Sequence, residues 1–202
     1  MAMLRHHARA DASVRAHVPV WLLYSARTRD DLIYGEELER LAGPPTLALP
    51  FSVAAWVYQP AAARGEFRSI LATDDQPGAY AGLFFQTMAT GQLSMSYADG
   101  GTVGADHRRT LDSNAPIAAD AWVHVVATVR GPTDMTLYID GAPVPATYSG
   151  TGGPLVHSAA PARIGAFSIV PANRPWLGQL DEVRIYACSL DAAEVATLFA
   201  QL

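Results

Sequence analysis

The side chains with chemical potential in this chain are carboxylates, histidines and aromatics, and their spacing limits what they can do. Asp181 and Glu182 adjoin within an apolar strand pattern. Neighbouring strand residues point to opposite faces, so the two carboxylates cannot flank one glycosidic bond from the same side. The pattern instead groups Asp181 with Val183 and Ile185, as an inward-pointing carboxylate at a strand end. A buried acid there needs hydrogen-bond partners or a cation. Asp74 and Asp75 stand in a loop bounded by Gly and Pro, where such acids either cap a turn or bind a cation. His107, His124 and His157 could in principle supply a two-histidine, one-carboxylate metal site, but no His-x-x-x-His spacing requires one. His6-His7 makes an unconvincing metal site. Trp56, Tyr58 and Tyr138 alternate outward on strands and Trp176 lies in a loop. Aromatics so placed stack on sugar rings or pack under loops. Asp99-Gly100-Gly101 reads as a turn. His124 sits on the outward face of a strand, as a structural or a ligand-binding group.

These residues need a frame, and the chain supplies one from about position 44 onward. Phe51, Val53, Ala55 and Val57 alternate with Ser52, Trp56 and Tyr58; Leu93, Met95 and Tyr97 alternate with Gln92, Ser94 and Ser96. Val123, Val125, Ala127 and Val129 alternate with Trp122, His124 and Thr128. Repeated half-buried alternation of this kind predicts two antiparallel sheets packed face to face. Asp140-Gly141, after Leu137 and Ile139, provides the positive-φ pair of a tight hairpin. Asp191-Ala-Ala-Glu194 is a capping-box pattern that opens a short terminal helix. The stripe Val195, Leu198 and Phe199 would bury against the sandwich, worth roughly 1.5–3 kcal/mol per side chain. Cys188, just before it, reads as a small buried filler.

Upstream the character differs. Residues 1–18 are rich in Ala, Arg and His without an apolar period, and are expected to form a flexible arm. Residues 20–24 form a continuous apolar run, and 28–41 has helical character with Asp30 and Asp31 at its start. Gly43-Pro-Pro45 then breaks the chain. The organisation expected is an arm over 1–18, a strand–helix extension over 19–43 and a sandwich over 44–202.

Bulk properties exclude several classes. With 202 residues, half of them apolar, the chain can bury a sizeable core. The net charge is -5 and all 14 basic residues are arginine, so no basic face suggests nucleic acid. A single cysteine rules out an internal disulfide and a cysteine-based zinc site. No apolar run has membrane-spanning length. The short apolar stretch over 18–24 contains proline and follows a long leader, which makes an unconvincing signal peptide. Oligomeric state and localisation stay open.

Two resemblances add to this reading. The motifs Phe51-Ser-Val-Ala-Ala-Trp-Val57, Trp122-Val-His-Val125, Leu137-Tyr-Ile-Asp-Gly141, Leu180-Asp-Glu-Val-Arg-Ile-Tyr186 and Ser189-Leu-Asp-Ala-Ala-Glu-Val195 follow in order. Together, over about 46–202, they resemble the laminin-G-like jelly rolls of the concanavalin A-like lectin/glucanase superfamily. The resemblance implies an all-β, two-sheet antiparallel jelly-roll sandwich with a short C-terminal helix. It also implies a usually extracellular setting and recognition on the concave sheet face or the loop rim. A matching aspartate in related jelly rolls can hold structural calcium, which makes Asp181, with Asp74 and Asp75, the candidate cation ligands. The glucanases of the superfamily carry acids at alternate strand positions; Val183 and Arg184 stand here instead, so their mechanism is unsupported. Separately, residues 19–41 resemble one strand–loop–helix of the nicotinamide-binding half of ferredoxin reductase-type flavoproteins. The Gly-rich phosphate turn and the flavin-binding part are absent, so neither NAD nor flavin is expected. Family members usually begin with a strand that is missing here, and residues 20–24 are expected to replace it beside 180–186, covering an edge that would otherwise invite aggregation.

The function expected from these observations is a non-catalytic binding module for a glycan or protein surface, with or without a cation. Its candidate ligand-binding residues are Trp56, Tyr58, Tyr138, His124 and Trp176. The alternative is a metal-dependent hydrolase of esters, phosphoesters or glycosides with a His/Asp site on the sandwich surface.

Overall fold

A computed structural model describes the backbone of residues 20–22 and, in full, residues 47–73, 77–158, 160, 162–167 and 174–201. The strands are β1 (Val20–Leu22), β2 (Phe51–Tyr58), β3 (Arg68–Ala72), β4 (Ala79–Thr87), β5 (Gln92–Thr102), β6 (Arg108–Pro116), β7 (Trp122–Gly131), β8 (Asp134–Ile139), β9 (Ala142–Pro143), β10 (Ala146–Ser149), β11 (Arg163–Ile164) and β12 (Gln179–Tyr186), followed by helix α1 (Ala192–Ala200). Among the described residues they form two six-stranded sheets, ordered β1-β12-β2-β7-β8-β9 and β10-β6-β5-β4-β3-β11. Every strand pair is antiparallel. The all-β sandwich expected from the alternation is what forms.

The core lies between the sheets and is built from the apolar half of each alternation. Phe51, Val53, Ala55 and Val57 of β2 meet Val123, Val125, Ala127 and Val129 of β7 in the same buried cluster, and Leu93, Met95 and Tyr97 of β5 face them from the other sheet. Their alternate neighbours turn away. The period of two thus converts directly into a layer of side chains on one side of each sheet.

β1 pairs with β12 in the register Val20↔Tyr186, Trp21↔Ile185, Leu22↔Arg184. The replacement strand expected at 20–24 is therefore present over three residues, and it pairs one edge of β12 while β2 takes the other. The helix expected over 28–41, the arm, and the loop acids Asp74 and Asp75 lie outside the described residues.

The hairpin and helix motifs fold as read. Asp140 and Gly141 have φ of 49° and 78° in the turn between β8 and β9. In α1 the Asp191 carboxylate accepts from the Glu194 amide at 2.9 Å, and the Glu194 carboxylate accepts from the Asp191 amide at 2.8 Å, closing the capping box. The expected turn at Asp99-Gly100-Gly101 is instead the far end of β5, which runs on to Thr102 with Gly100 at φ 84°. Gly absorbs the local twist without breaking the strand.

Gly141 joins the hairpin to the helix. A Cβ built there would lie 3.0 Å from the Phe199 ring, on a backbone that L-residues rarely adopt. Gly141→Ala is expected to cost about 1–2 kcal/mol in a denaturant unfolding titration, since both the turn and the helix seat resist it.

Candidate functional site

The outer face of the first sheet collects most of the aromatic candidates, because β2 and β7 place them in adjacent cross-strand rows. One row runs Asp181, Trp56, His124; the next runs Gln179, Tyr58, Trp122. The two rows meet different fates. Phe199 of α1 lies over the first: its ring stacks on Trp56 at 5.8 Å and 22° and on His124 at 6.0 Å and 28°, while Trp56 and His124 are 5.2 Å apart. Tyr138, Ala54, Val126 and Tyr186 join Leu190, Val195 and Leu198 of the covering segment in a second, smaller buried cluster. Of the two settings open to Trp56, His124 and Tyr138, a ligand face or packing beneath another segment, the structure shows the packed one. They do point away from the main core, but the terminal helix covers them, leaving His124 4% and Tyr138 5% exposed.

The second row stays open. Trp122 is 42% exposed, and its ring meets that of the half-buried Tyr58 at 6.0 Å and 58°. Gln179 and Asp181, beside them on β12, are exposed. Trp122 belongs to the outward set in the sequence, yet nothing there distinguishes it from the covered aromatics. Only the reach of the helix does so.

Asp181 also departs from its expected orientation. A β-bulge shifts the β12 register between Asp181 and Arg184, with Glu182 at φ 53°. The extra residue reverses the alternation. Leu180, Val183 and Ile185 pack on the main core, whereas Asp181 faces outward and is exposed. Its Oδ1 accepts the Glu182 amide at 2.9 Å, so the carboxylate supports the bulge. Arg184, buried on the outer side, donates to the Glu182 carboxylate.

Trp176 is fastened into the sandwich rim. It packs against the main core, its amide donates to the Gly165 carbonyl at 2.8 Å, and its indole Nε1 donates to the Gln179 carbonyl at 3.1 Å. The half-buried Cys188 flanks the smaller cluster, and burial raises its thiol pKa.

The histidines occupy three separate settings. His157 Nε2 lies 2.6 Å from the Leu47 carbonyl. His124 is under α1, where burial, reinforced by the Arg184 cation, lowers its pKa from 6.5 to about 4. His107 Nδ1 lies 3.0 Å from Asp99 Oδ1, while its Nε2 is 3.7 Å from Asp106 Oδ2. Among the described residues no group of three or more His, Cys, Asp or Glu side chains is arranged to hold a metal. Among those residues the two-histidine, one-carboxylate arrangement is not assembled, and Asp181 has no such partners around it.

Asp99 is the polar junction that sequence reasoning missed. Besides His107, its Oδ1 accepts from the Gly101 amide at 3.0 Å, and its Oδ2 accepts from the Gly153 amide at 2.7 Å. The Gly153 bond is the main reason the carboxyl titrates below its ordinary range, with smaller help from Gly101 and His107. Arg109 holds the same loop through the Gly152 and Gly150 carbonyls at 2.8 and 3.2 Å. The signal available in the sequence was the glycine run from 150 to 153, whose backbone lets β6 approach closely: a Cβ at Gly150 would lie 2.2 Å from the Arg108 carbonyl oxygen.

This architecture can be compared with known proteins. A laminin-G-type family model of the concanavalin A-like lectin/glucanases superfamily matches residues 41–196. The chain belongs to that superfamily. Across 105 residues, 47% of the chain, it is 31% identical to the zebrafish (Danio rerio) adhesion G-protein coupled receptor V1, of whose length it spans only 2%. Among solved structures it resembles the carbohydrate-binding module (CBM40) of the Ruminococcus gnavus IT-sialidase, with a TM-score of 0.57 at 13% identity, covering 76% of this chain and 83% of that one. A putative carbohydrate-binding protein from Bacteroides ovatus gives 0.54 at 16% identity, covering 88% of this chain and 43% of that one. The binding domain of botulinum neurotoxin DC, solved in complex with rat synaptotagmin II, gives 0.54 at 12% identity, covering 91% and 46%. Likeness at these identities establishes the shared fold. The reductase-like reading of residues 19–41 has no counterpart in these matches, and beyond the pairing of Val20–Leu22 that segment lies outside the described residues.

Replacing Asp99 with alanine removes three acceptor contacts at once and leaves the Gly153 amide unpaired. The expected loss is about 2 kcal/mol of unfolding free energy, with hydrogen exchange rising first in residues 150–153.

Proposed function

We propose that this domain is a non-catalytic glycan-binding module whose seat is the open end of the first sheet's outer face. The observation that carries the reading is the Tyr58–Trp122 pair, which stands beside the exposed Gln179 and Asp181 with Trp122 42% exposed, while Trp56 and Tyr138 on the same face lie under the helix segment. The C–H face of a pyranose matches an aromatic surface, and the amide and carboxylate next to it supply the hydrogen-bonding groups that orient hydroxyls. Other modules that bind carbohydrate are built on the same sandwich, which agrees with the reading. Asp181 acts here as a hydroxyl acceptor, its other oxygen spare beside the bond from Glu182. No cation is assigned to the grip, because calcium needs six to eight oxygens and the described surroundings of Asp181 do not offer them.

The test is glycan-array binding by the purified chain, in calcium and again with chelator, followed by titration of a hit by tryptophan fluorescence. Trp122→Ala, at an exposed position, should leave folding intact and weaken binding by about tenfold, equivalent to 1.4 kcal/mol; Tyr58→Ala should do at least as much. Binding lost on chelation would assign a cation the role denied to it above. A blank array under both conditions would remove the glycan reading. Hits unaffected by either substitution would move the site off this face.

A further inference from the structure

The covered half of the same face has a feature that tight packing does not explain. Trp56 Nε1, His124 Nδ1 and Thr128 Oγ1 are all shielded from solvent and have no hydrogen-bond partner among the described residues. His124 and Thr128 are themselves at least nine-tenths buried. A shielded polar atom without a partner costs on the order of 1–3 kcal/mol, so those of Trp56 and His124, which stack under Phe199, weaken the seat on which α1 rests. The cover is also energetically separate from the sandwich. Its cluster of Leu190, Val195 and Leu198 against Ala54, Val126, Tyr138 and Tyr186 is distinct from the main core between the sheets. The helix can therefore leave without opening that core, which is the condition for a local unfolding unit.

We propose that α1 is an acid-released cover: protonation of His124 undocks the helix and bares the Trp56–His124–Tyr138 surface, which continues the Tyr58–Trp122 platform. The bared surface would present the unpartnered indole N–H, imidazole nitrogen and threonine hydroxyl to the hydroxyls of a longer glycan. That last step rests on the glycan reading above, whereas the undocking does not.

The surroundings of His124 set the direction of the effect. Trp56 and Phe199 enclose its ring with aromatic faces. The charged groups nearby are Arg184 with Glu182 on β12, Asp181 in the same cross-strand row, Asp140 at the end of β8 and Glu194 on α1. Asp140 uses its Oδ1 on the His124 backbone amide at 2.9 Å, Asp181 uses one oxygen on the bulge, and Glu194 is engaged in the capping box. No described carboxylate hydrogen-bonds the imidazole, and Arg184 opposes a second cation beside it. Undocked and exposed, the imidazole titrates near its ordinary 6.5; docked, it does so near 4. Above about pH 6.5 it is neutral in both states and docking is at full strength. Between about 6.5 and 4 the undocked state alone takes up a proton, so the opening equilibrium grows by about tenfold per pH unit and then levels off.

Hydrogen exchange on the full chain at pH 7.5 and 4.5, corrected for the intrinsic pH dependence of exchange, tests this directly. The peptide containing α1 should open about a hundredfold more often at pH 4.5, while peptides from β5 keep their protection. In His124→Gln, which carries no charge at either pH, the α1 change should vanish. Unchanged α1 protection in the parent chain overturns the proposal without recourse to a variant. So does an acid response that persists in His124→Gln, or loss of β5 protection together with α1. Because the readout involves no glycan, failure of undocking and failure of glycan binding are told apart.

Discussion

The fold depends on the pairing of β2 with β7, held in register from Phe51↔Val129 to Tyr58↔Trp122. These central strands of the first sheet are packed on both faces along most of their length, by the second sheet on one side and by the terminal helix on the other. A slip of one residue would turn Phe51, Val53, Ala55 and Val57 away from the core and bring Ser52 and Trp56 into it. The same register brings Trp56 beside His124 and Tyr58 beside Trp122, so core packing and surface composition are set by a single alignment.

What the alignment leaves open, the cover decides. A nine-residue helix reaches across part of the outer face and ends one residue past Phe199, which stacks on the Trp56–His124 row. One row further along, Tyr58 and Trp122 meet solvent. The boundary between a packed aromatic and an available one thus falls between two adjacent cross-strand rows, about one strand repeat apart. The cover is fixed at its start by the capping box and by the Ser52 hydroxyl, which donates to the Cys188 carbonyl and accepts the Leu190 amide. Beneath it lie unpartnered polar atoms. Firm anchoring at one end over a flawed seat is a combination suited to hinging about residues 188–191.

The bulge in β12 shows how one backbone irregularity changes the chemistry of a surface. Without it, strict alternation would bury Asp181 alongside Val183 and Ile185, and a buried carboxylate demands a cation or several donors. With Glu182 taking the extra position, Asp181 moves to the outer face and needs only the adjacent amide. Arg184 stays in the row of Ala54 and finds its partner two residues back in Glu182.

By itself the sequence determined the layers, the hairpin at Asp140-Gly141 and the capping box, because each is written in local terms: a period of two, a pair that tolerates positive φ, an Asp-x-x-Glu spacing. It also separated the core half of each strand from the outward half without error in β2, β5 and β7. Which outward aromatics meet solvent was not legible, since Trp56, Tyr58, Tyr138 and Trp122 look alike in an alternating pattern. Their fates follow from where a helix over fifty residues downstream comes to rest. The Asp99 junction was equally hidden, because its partners at 101, 107 and 153 are joined only by folding. The side of the sheet on which Asp181 falls was decided by one positive-φ residue at 182, which no composition or spacing announces. Tertiary structure settled these points because each is a contact between segments remote in the chain, or a backbone geometry selected only by the sum of such contacts.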